Sequence, residues 1–238
     1  MLSRSQIKLV KQLELKKYRS REGLFVAEGP KVVGDLLKSG FLPHSLFATP
    51  EFRCGEEAQT VSHDELCKLS FLQHPQQVLA LFPLPPVTCP SPSGLSIALD
   101  GVQDPGNLGT IIRIADWFGI DTIYCSHNTA DAWAPKVIQA TMGSIARVKV
   151  VYTDLTVLLS ETALPVYGTL LDGDDIYRQQ LSREGIIVMG NEGNGISEPV
   201  RHLVSHRLQI PSFHRGDRAE SLNVAIATAI TCSEFRRR

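Results

Sequence analysis

Three stretches concentrate residues able to do chemistry, each where an apolar run gives way to a polar turn. The first is Asp100-Gly101-Val102-Gln103-Asp104-Pro105-Gly106-Asn107, leading into the apolar-periodic Leu108–Phe118. Arg113 stands inside that apolar run. A guanidinium among apolar residues is costly without an anionic partner. It reads either as half of a salt bridge, to Asp116 or Asp100, or as a fork that grips a phosphate or carboxylate. Asn107 is a candidate helix cap. The second stretch runs from Ile186-Ile187-Val188-Met189 into Gly190-Asn191-Glu192-Gly193-Asn194-Gly195. Glycines at that density permit positive φ and close approach of backbone to a ligand, and also serve an ordinary tight turn. Glu192 adds a carboxylate at the same point. The third is Leu208-Gln209-Ile210-Pro211, the polar loop Ser212–Glu220, then Ser221-Leu222-Asn223 at the head of an Ala- and Thr-rich helix. Ser221 is a candidate cap for that helix.

Other chemistries lack their residues. No G-x-G-x-x-G follows the strand ending at Leu99, and no G-x-x-x-x-G-K-[ST] or G-x-S-x-G occurs. This speaks against an ordinary dinucleotide site, a P-loop and a nucleophile elbow. His202 and His206 share a helical spacing, but no third ligand accompanies them, so no metal site is expected. The five cysteines are scattered and form no C-x-x-C pair. That pattern fits reduced thiols and a cytoplasmic protein.

The three stretches need a scaffold. Strand candidates are Leu95–Leu99, Thr122–Cys125, Val148–Tyr152, Val166–Leu170, Ile186–Met189 and Arg207–Ile210. Helical patterns fall between them at Leu108–Phe118, Ala134–Met142, Asp154–Ser160 and Ser197–Val204, with Leu222–Phe235 last. Strands alternating with helices predict an α/β domain with a parallel sheet, whose ligands bind at the carboxyl ends of the strands. Five of the fourteen prolines lie in Phe82–Gly94 and mark a linker. It separates a domain over 1–82 from one over 95–238, the linker itself being 83–94. The first domain reads as a small α/β module, with strands at Phe25–Ala27 and Ser45–Thr49 and a helix at Lys31–Lys38. Ile7, Val10, Leu13 and Leu15 form an apolar helical face before them.

Net charge is −1 over 238 residues with 43% hydrophobic residues, an ordinary globular composition. A polyanion-binding surface must therefore be local. Residues 1–31 hold eight Lys or Arg against three Glu, a net of +5. That density is either a solvated helix face or a phosphate-contacting surface. No secretory or membrane-spanning apolar run is present, so no membrane partner is expected.

Together the three stretches resemble the three motifs of the SpoU/TrmH family of RNA ribose 2′-O-methyltransferases, in the SPOUT superfamily. The resemblance covers 95–238. The first domain resembles the family's substrate-binding domain through Lys16-Lys17-Tyr18-Arg19 and Phe25-Val26-Ala27-Glu28-Gly29. The resemblance implies a methyltransferase domain with a C-terminal deep trefoil knot, although threaded chains are otherwise rare. It implies S-adenosylmethionine held mostly by backbone at Thr169, Leu170, Gly190, Ile210 and Leu222. It places Asn107, Arg113, Glu192, Ser221 and Asn223 in the catalytic machinery, and Lys16, Lys17, Arg19 and Arg21 on RNA. It implies a homodimer through the C-terminal helix, and ribosomal RNA ahead of transfer RNA as substrate. The loop 212–220 is longer than the family pattern, which puts in question RNA contacts by His214, Arg215 and Arg218.

On this reading Arg113 clamps a phosphate and favours charge developing on the 2′-oxygen. A role as general base ranks lower, because arginine stays protonated. The competing reading is a catalytically silent RNA-binding or ribosome-assembly module, disfavoured by the joint presence of the five polar residues.

Overall fold

The computed structural model describes residues 2–53, 57–214 and 220–237; Arg215, Arg218 and Arg238 lie outside them. In chain order the elements begin α1 (Arg4–Gln12), α2 (Lys16–Glu22), β1 (Leu24–Glu28), α3 (Pro30–Lys38), β2 (Ser45–Ala48), β3 (Gln59–Thr60), α4 (His63–Leu69) and β4 (Val78–Pro83). They continue β5 (Leu95–Asp100), α5 (Pro105–Trp117), β6 (Thr122–Cys125), α6 (Pro135–Ala140), β7 (Lys149–Tyr152) and α7 (Leu155–Glu161). The last are β8 (Val166–Asp175), β9 (Gly185–Gly190), α8 (Glu198–Arg201), β10 (His206–Gln209) and α9 (Val224–Arg236). The chain forms two compact units. One holds the residues up to Pro86 together with Asp131–Arg147; the other holds Val87–Ala130 and Val148 onward.

In the first unit a four-stranded sheet runs in the order β1-β4-β2-β3, antiparallel except for β2 with β3. Val10 and Leu13 pack with Leu66, Leu69, Val26 and Leu79. The expected apolar face holds as far as Leu13. Leu15 departs from it: α1 ends at Gln12, and Leu15 is 51% exposed at the head of α2. A capping box of Ser3 and Gln6 starts α1, and Gly23 at φ 66° stops α2.

Arg19 corrects the expected RNA surface. It is only 3% exposed, and its Nη1 donates to Leu13 O at 2.7 Å and Glu14 O at 2.6 Å. Its Nη2 meets Asp131 Oδ2 at 2.6 Å. Arg19 thus ties the segment 131–147 to α2 instead of facing a polymer. Trp133 of the same segment lies 4.8 Å from the Phe25 ring, and Arg147 joins Lys31 on Asp35. Removing one partner of a buried pair leaves an uncompensated charge. Asp131→Ala should therefore destabilise this unit by about 3–5 kcal/mol in denaturant unfolding; a loss below about 1 kcal/mol, the scale of a surface pair, would show the contact to be incidental.

The second unit carries the fold expected from the strand–helix alternation. Six strands, all parallel, run in the order β10-β8-β9-β5-β6-β7. Successive strands β5, β6 and β7 step one way, β8 returns beyond them, and β9 fills the gap beside β5. The reversal puts the carboxyl ends of β5, β8 and β9 around one switch point, where open α/β sheets bind ligands. Leu155 and Leu159 of α7 pack with Tyr124, Val151, Ile186 and Val188.

Helices α5 and α9 pack against each other and run parallel. Asn223 meets Asn107 at their amino ends, and Arg236 donates to Phe118 O and Gly119 O, each at 2.8 Å, at their carboxyl ends. Some expected bounds change. β8 extends to Asp175, α8 shrinks to Glu198–Arg201, and α9 opens at Val224.

Candidate active site

The sheet opens at the switch point. β8 pairs with β9 only from Val166 to Gly168, although β9 continues beside β5 to Gly190. On its other side β8 leaves β10 after Gly168 and rejoins it at Asp174. The parting strands leave a cleft of about 510 Å³. Leu170, Ile196, Leu208, Ile210 and Val224 supply apolar lining, beside the backbone of Gly190–Gly195. The expected cofactor residues Thr169, Leu170, Gly190, Ile210 and Leu222 all line it, as do Glu192 and Ser221.

Glycine at 190 is a steric requirement. A Cβ there would come within 2.3 Å of both the Gly195 carbonyl carbon and the Ile196 nitrogen. The loop closes on itself through paired bonds between Asn191 and Gly195, and Gly195 turns at φ 69°.

Glu192 joins this loop to the turn after β5. Its Oε1 accepts from the Asn107 side-chain amide at 3.1 Å and Asp104 N at 3.3 Å; Oε2 accepts from Gln103 N at 3.2 Å. Asn107 Oδ1 in turn accepts from Asn223 Nδ2 at 2.9 Å. Asn223 Oδ1 accepts from Ala225 N at 2.9 Å and Ile226 N at 3.3 Å, which caps α9. The three motifs therefore meet in one hydrogen-bonded chain. Its polarity is set by chemistry: a carboxylate only accepts, so each amide must present nitrogen toward Glu192 and oxygen toward α9.

Two expected caps are corrected. Asp104, not Asn107, caps α5, through Oδ1 and Asn107 N at 2.7 Å. Asn223, not Ser221, caps α9; Ser221 is exposed at the cleft. Two contributing residues, Asn191 and Asp100, lie outside the expected site set. Asn191 Nδ2 donates to Gly101 O at 2.7 Å, and its Oδ1 accepts from Gly193 N and Asn194 N. Asp100 Oδ2 accepts from Ser197 N at 2.7 Å. The signal for Asn191 is its type: Asn hydrogen-bonds backbone two residues on and starts such turns.

Arg113 is not embedded. It lies on the exposed side of α5, with no hydrogen bond or ion pair among the described residues, and it does not line the cleft. The salt bridge to Asp116 or Asp100 is therefore not formed. In the other unit Lys16, Lys17 and Arg21 are exposed on α2. Lys17 and Arg21 each approach the Tyr18 ring, at 4.9 and 4.8 Å.

Partial burial pushes the Glu192 carboxyl upward, but the Asn107 amide and the backbone N–H groups, its own included, outweigh it. The group is held below its ordinary 4.5. A lowered folded-state value stabilises the junction above the ordinary value and loses that contribution as pH falls through the folded one. The Asn107 side-chain amide and the Gln103 N–H should therefore shift in NMR with a midpoint below 4.5. Glu192→Gln should abolish that titration; a midpoint at 4.5 would show the carboxylate to be solvated, and one above 4.5 that burial outweighs its hydrogen bonds.

Residues 94–233 match the model of the SpoU rRNA Methylase family, and residues 4–80 match an MRM3-like substrate binding domain. Among named relatives, the 23S rRNA (guanosine(2553)-2′-O)-methyltransferase RlmP of Bacillus subtilis is 31% identical, over 97% of this chain and 96% of its own. A solved TrmH-family chain from Porphyromonas gingivalis superposes with a TM-score of 0.90 at 41% identity, covering 100% of this chain and 99% of its own. An AdoMet-bound rRNA methyltransferase from Sinorhizobium meliloti superposes with a TM-score of 0.88 at 30% identity, covering 100% and 97%. With the second and third motifs lining one cleft, the first hydrogen-bonded to Glu192 beside it, and the family model spanning more than half the chain, the protein belongs to the SpoU rRNA methylase family.

Proposed function

We propose that the protein transfers a methyl group from S-adenosylmethionine to a ribose 2′-hydroxyl of ribosomal RNA. The observation that carries this is the chain Glu192–Asn107–Asn223 at the cleft between β8 and β9. It links Asn107 of the first motif and Asn223 of the third to Glu192 of the second, which lines the cleft. The relative from Bacillus subtilis is named for 2′-O-methylation of 23S rRNA, and the Sinorhizobium meliloti structure is AdoMet-bound.

The cleft suits that cofactor. Its volume lies in the range of small-molecule sites, and its apolar lining suits an adenosyl group. The backbone of Thr169–Gly173 pairs with no neighbouring strand and leaves polar groups for a ligand. Thr169, Leu170, Gly190, Ile210 and Leu222 would hold it. When bound, S-adenosylmethionine supplies a methyl on a sulfonium, ready for attack.

The protein's own residues position the nucleophile. Glu192 has its oxygens committed to four donors, counting the longer contact from Asn191, and serves as an orienting anion in preference to a base. Through it Asn107 and Asn223 are held with one amide N–H each beyond the chain, able to bind a ribose. Ser221 adds a hydroxyl at the cleft. Holding reactants in a near-attack geometry supplies much of the rate enhancement open to such a site. Arg113, exposed and unpaired among the described residues, is a cation able to clamp the neighbouring phosphate and stabilise charge on the 2′-oxygen. The phosphate is then the group placed to take the proton. Lys16, Lys17 and Arg21 add phosphate contacts from α2.

The reading extends to assembly and chain path. Gly106, Thr110, Arg113 and Trp117 form an exposed stripe on α5, with Trp117 85% exposed; on α9, Ile226 is 53% exposed. Exposed large apolar side chains on two helices that pack side by side fit a second copy of the chain. Such a homodimer would carry Arg113 into its interface. β10 ends beyond β8 while α9 begins beside α5, two strands further in, which supports the knotted path.

Labelled methyl transfer to unmodified RNA, followed by ribose-methylation mapping, tests the reaction. One labelled nucleotide in ribosomal RNA is expected. Label confined to transfer RNA would change the substrate, and no label from folded protein would favour a silent RNA-binding module. Arg113→Ala should reduce kcat by about 10²-fold or more, the scale of one lost oxyanion donor, with cofactor affinity intact. Turnover near the wild-type rate would remove Arg113 from its role. Trp117→Glu should convert a dimer to a monomer in light scattering; an unchanged mass would place the interface elsewhere.

A further inference from the structure

The wall of the cleft has an unusual support. β8 is paired on both sides from Val166 or Tyr167 to Gly168, and then Thr169–Gly173 pairs with neither neighbour. Such a bulge has no ladder to fix its shape. Side chains fix it instead. Toward β9, Thr169 Oγ1 donates to Val188 O at 3.0 Å. Toward β10, Gln209 Nε2 donates to Leu171 O. At the tip, Asp172 Oδ2 accepts from Arg201 of α8 at 2.7 Å and also from Arg207 of β10. Below it, Gly173 lies so close to β10 that a Cβ would come within 2.6 Å of the Leu208 carbonyl carbon. Thr169, Leu170, Leu171, Asp172 and Arg201 all line the cleft, yet Asp172 and its two arginines lie outside the three motifs.

We propose that Asp172 is a positioning residue for the cofactor: it joins α8 and β10 to the bulge of β8 and holds that wall in the shape that takes the adenosyl group. This rests on the reading of the cleft as the S-adenosylmethionine site. One carboxylate oxygen shared by two guanidiniums couples three elements at a single point. The group is 55% exposed, so the coupling is modest and sensitive to salt.

The test is calorimetry of Asp172→Asn and Asp172→Glu against S-adenosylmethionine and S-adenosylhomocysteine, with KM and kcat measured separately. Asp172→Asn should raise the Kd of both ligands and the KM for the cofactor about three- to tenfold, as two exposed ion pairs allow. The kcat at saturation should stay within about twofold, since the residue acts on binding. Asp172→Glu should recover most of the affinity, and added salt should bring the wild type toward Asp172→Asn. A wild-type Kd in Asp172→Asn would overturn the proposal, as would a fall in kcat at constant KM. A loss confined to S-adenosylmethionine, which carries one more positive charge than its product, would also overturn it by pointing to direct charge attraction. If Asp172→Asn fails a thermal melt, Arg207→Gln, outside the cleft lining, carries the same expectation. Failure of the wild type to bind either ligand would overturn the cofactor reading itself; binding that no variant alters overturns only the role of Asp172.

Discussion

A carboxylate accepts hydrogen bonds and never donates one, and the site is ordered around that property of Glu192. Two backbone N–H groups of the turn after β5 and the amide of Asn107 converge on it. Without an anion there, three donors at the head of α5 would compete for water, and the Asn107 amide would be free to flip. With it, Asn107 must turn its oxygen to Asn223, whose own oxygen faces the N–H groups opening α9. Orientation passes through two side chains without any of them being buried deeply. The amino ends of α5 and α9 thus become one surface, and the helix dipoles add positive potential to it. That potential suits a ribose–phosphate backbone.

The same economy explains why the cleft opens where it does. A fully paired parallel sheet would leave no room at its carboxyl edge. Here β9 keeps its partner β5 to the end while β8 drops both neighbours after Gly168. The freed segment exchanges ladder hydrogen bonds for side-chain ones. Backbone groups that a ligand can use are exposed as a consequence, and the cost is offset by Thr169, Gln209 and Asp172. Gly190 and Gly173 permit the close approaches on either side, where any side chain would collide with backbone.

Much of this was legible from residue types. Apolar runs ending in polar turns located β5, β9 and β10, and the alternation with helices implied the parallel sheet. Glu192 stood out as a carboxylate at a strand end and Asn107 as a polar residue at a helix start, while Asn223 was marked only by the resemblance to the family's third motif. What was not legible depends on pairing between distant segments. The bulge of β8 is invisible in Thr169-Leu170-Leu171, which reads as ordinary strand until β10 skips it. The membership of Asp131–Arg147 in the first unit likewise follows from Arg19 and Phe25 finding Asp131 and Trp133, over a hundred residues away. Strand β4, which runs to Pro83, was hidden by the proline-rich stretch it enters.

Arg19 and Arg113 show how sequence context inverts. Arg19 sits in a run of cations and looks solvent-facing; Arg113 sits among isoleucines and looks buried. The helices decide otherwise. Arg19 is the one described residue of α2 that is buried, and there its two terminal nitrogens meet two carbonyls and a carboxylate, because a desolvated guanidinium is costly without an anion and acceptors beside it. Arg113 falls on the exposed stripe of α5, one turn before Trp117, while Ile111 and Ile112 turn inward. A buried arginine with its charge neutralised locally has nothing left to offer an RNA. An exposed one with no partner among the described residues keeps its charge for a group that arrives from outside, and the free energy of that contact is available to binding and catalysis.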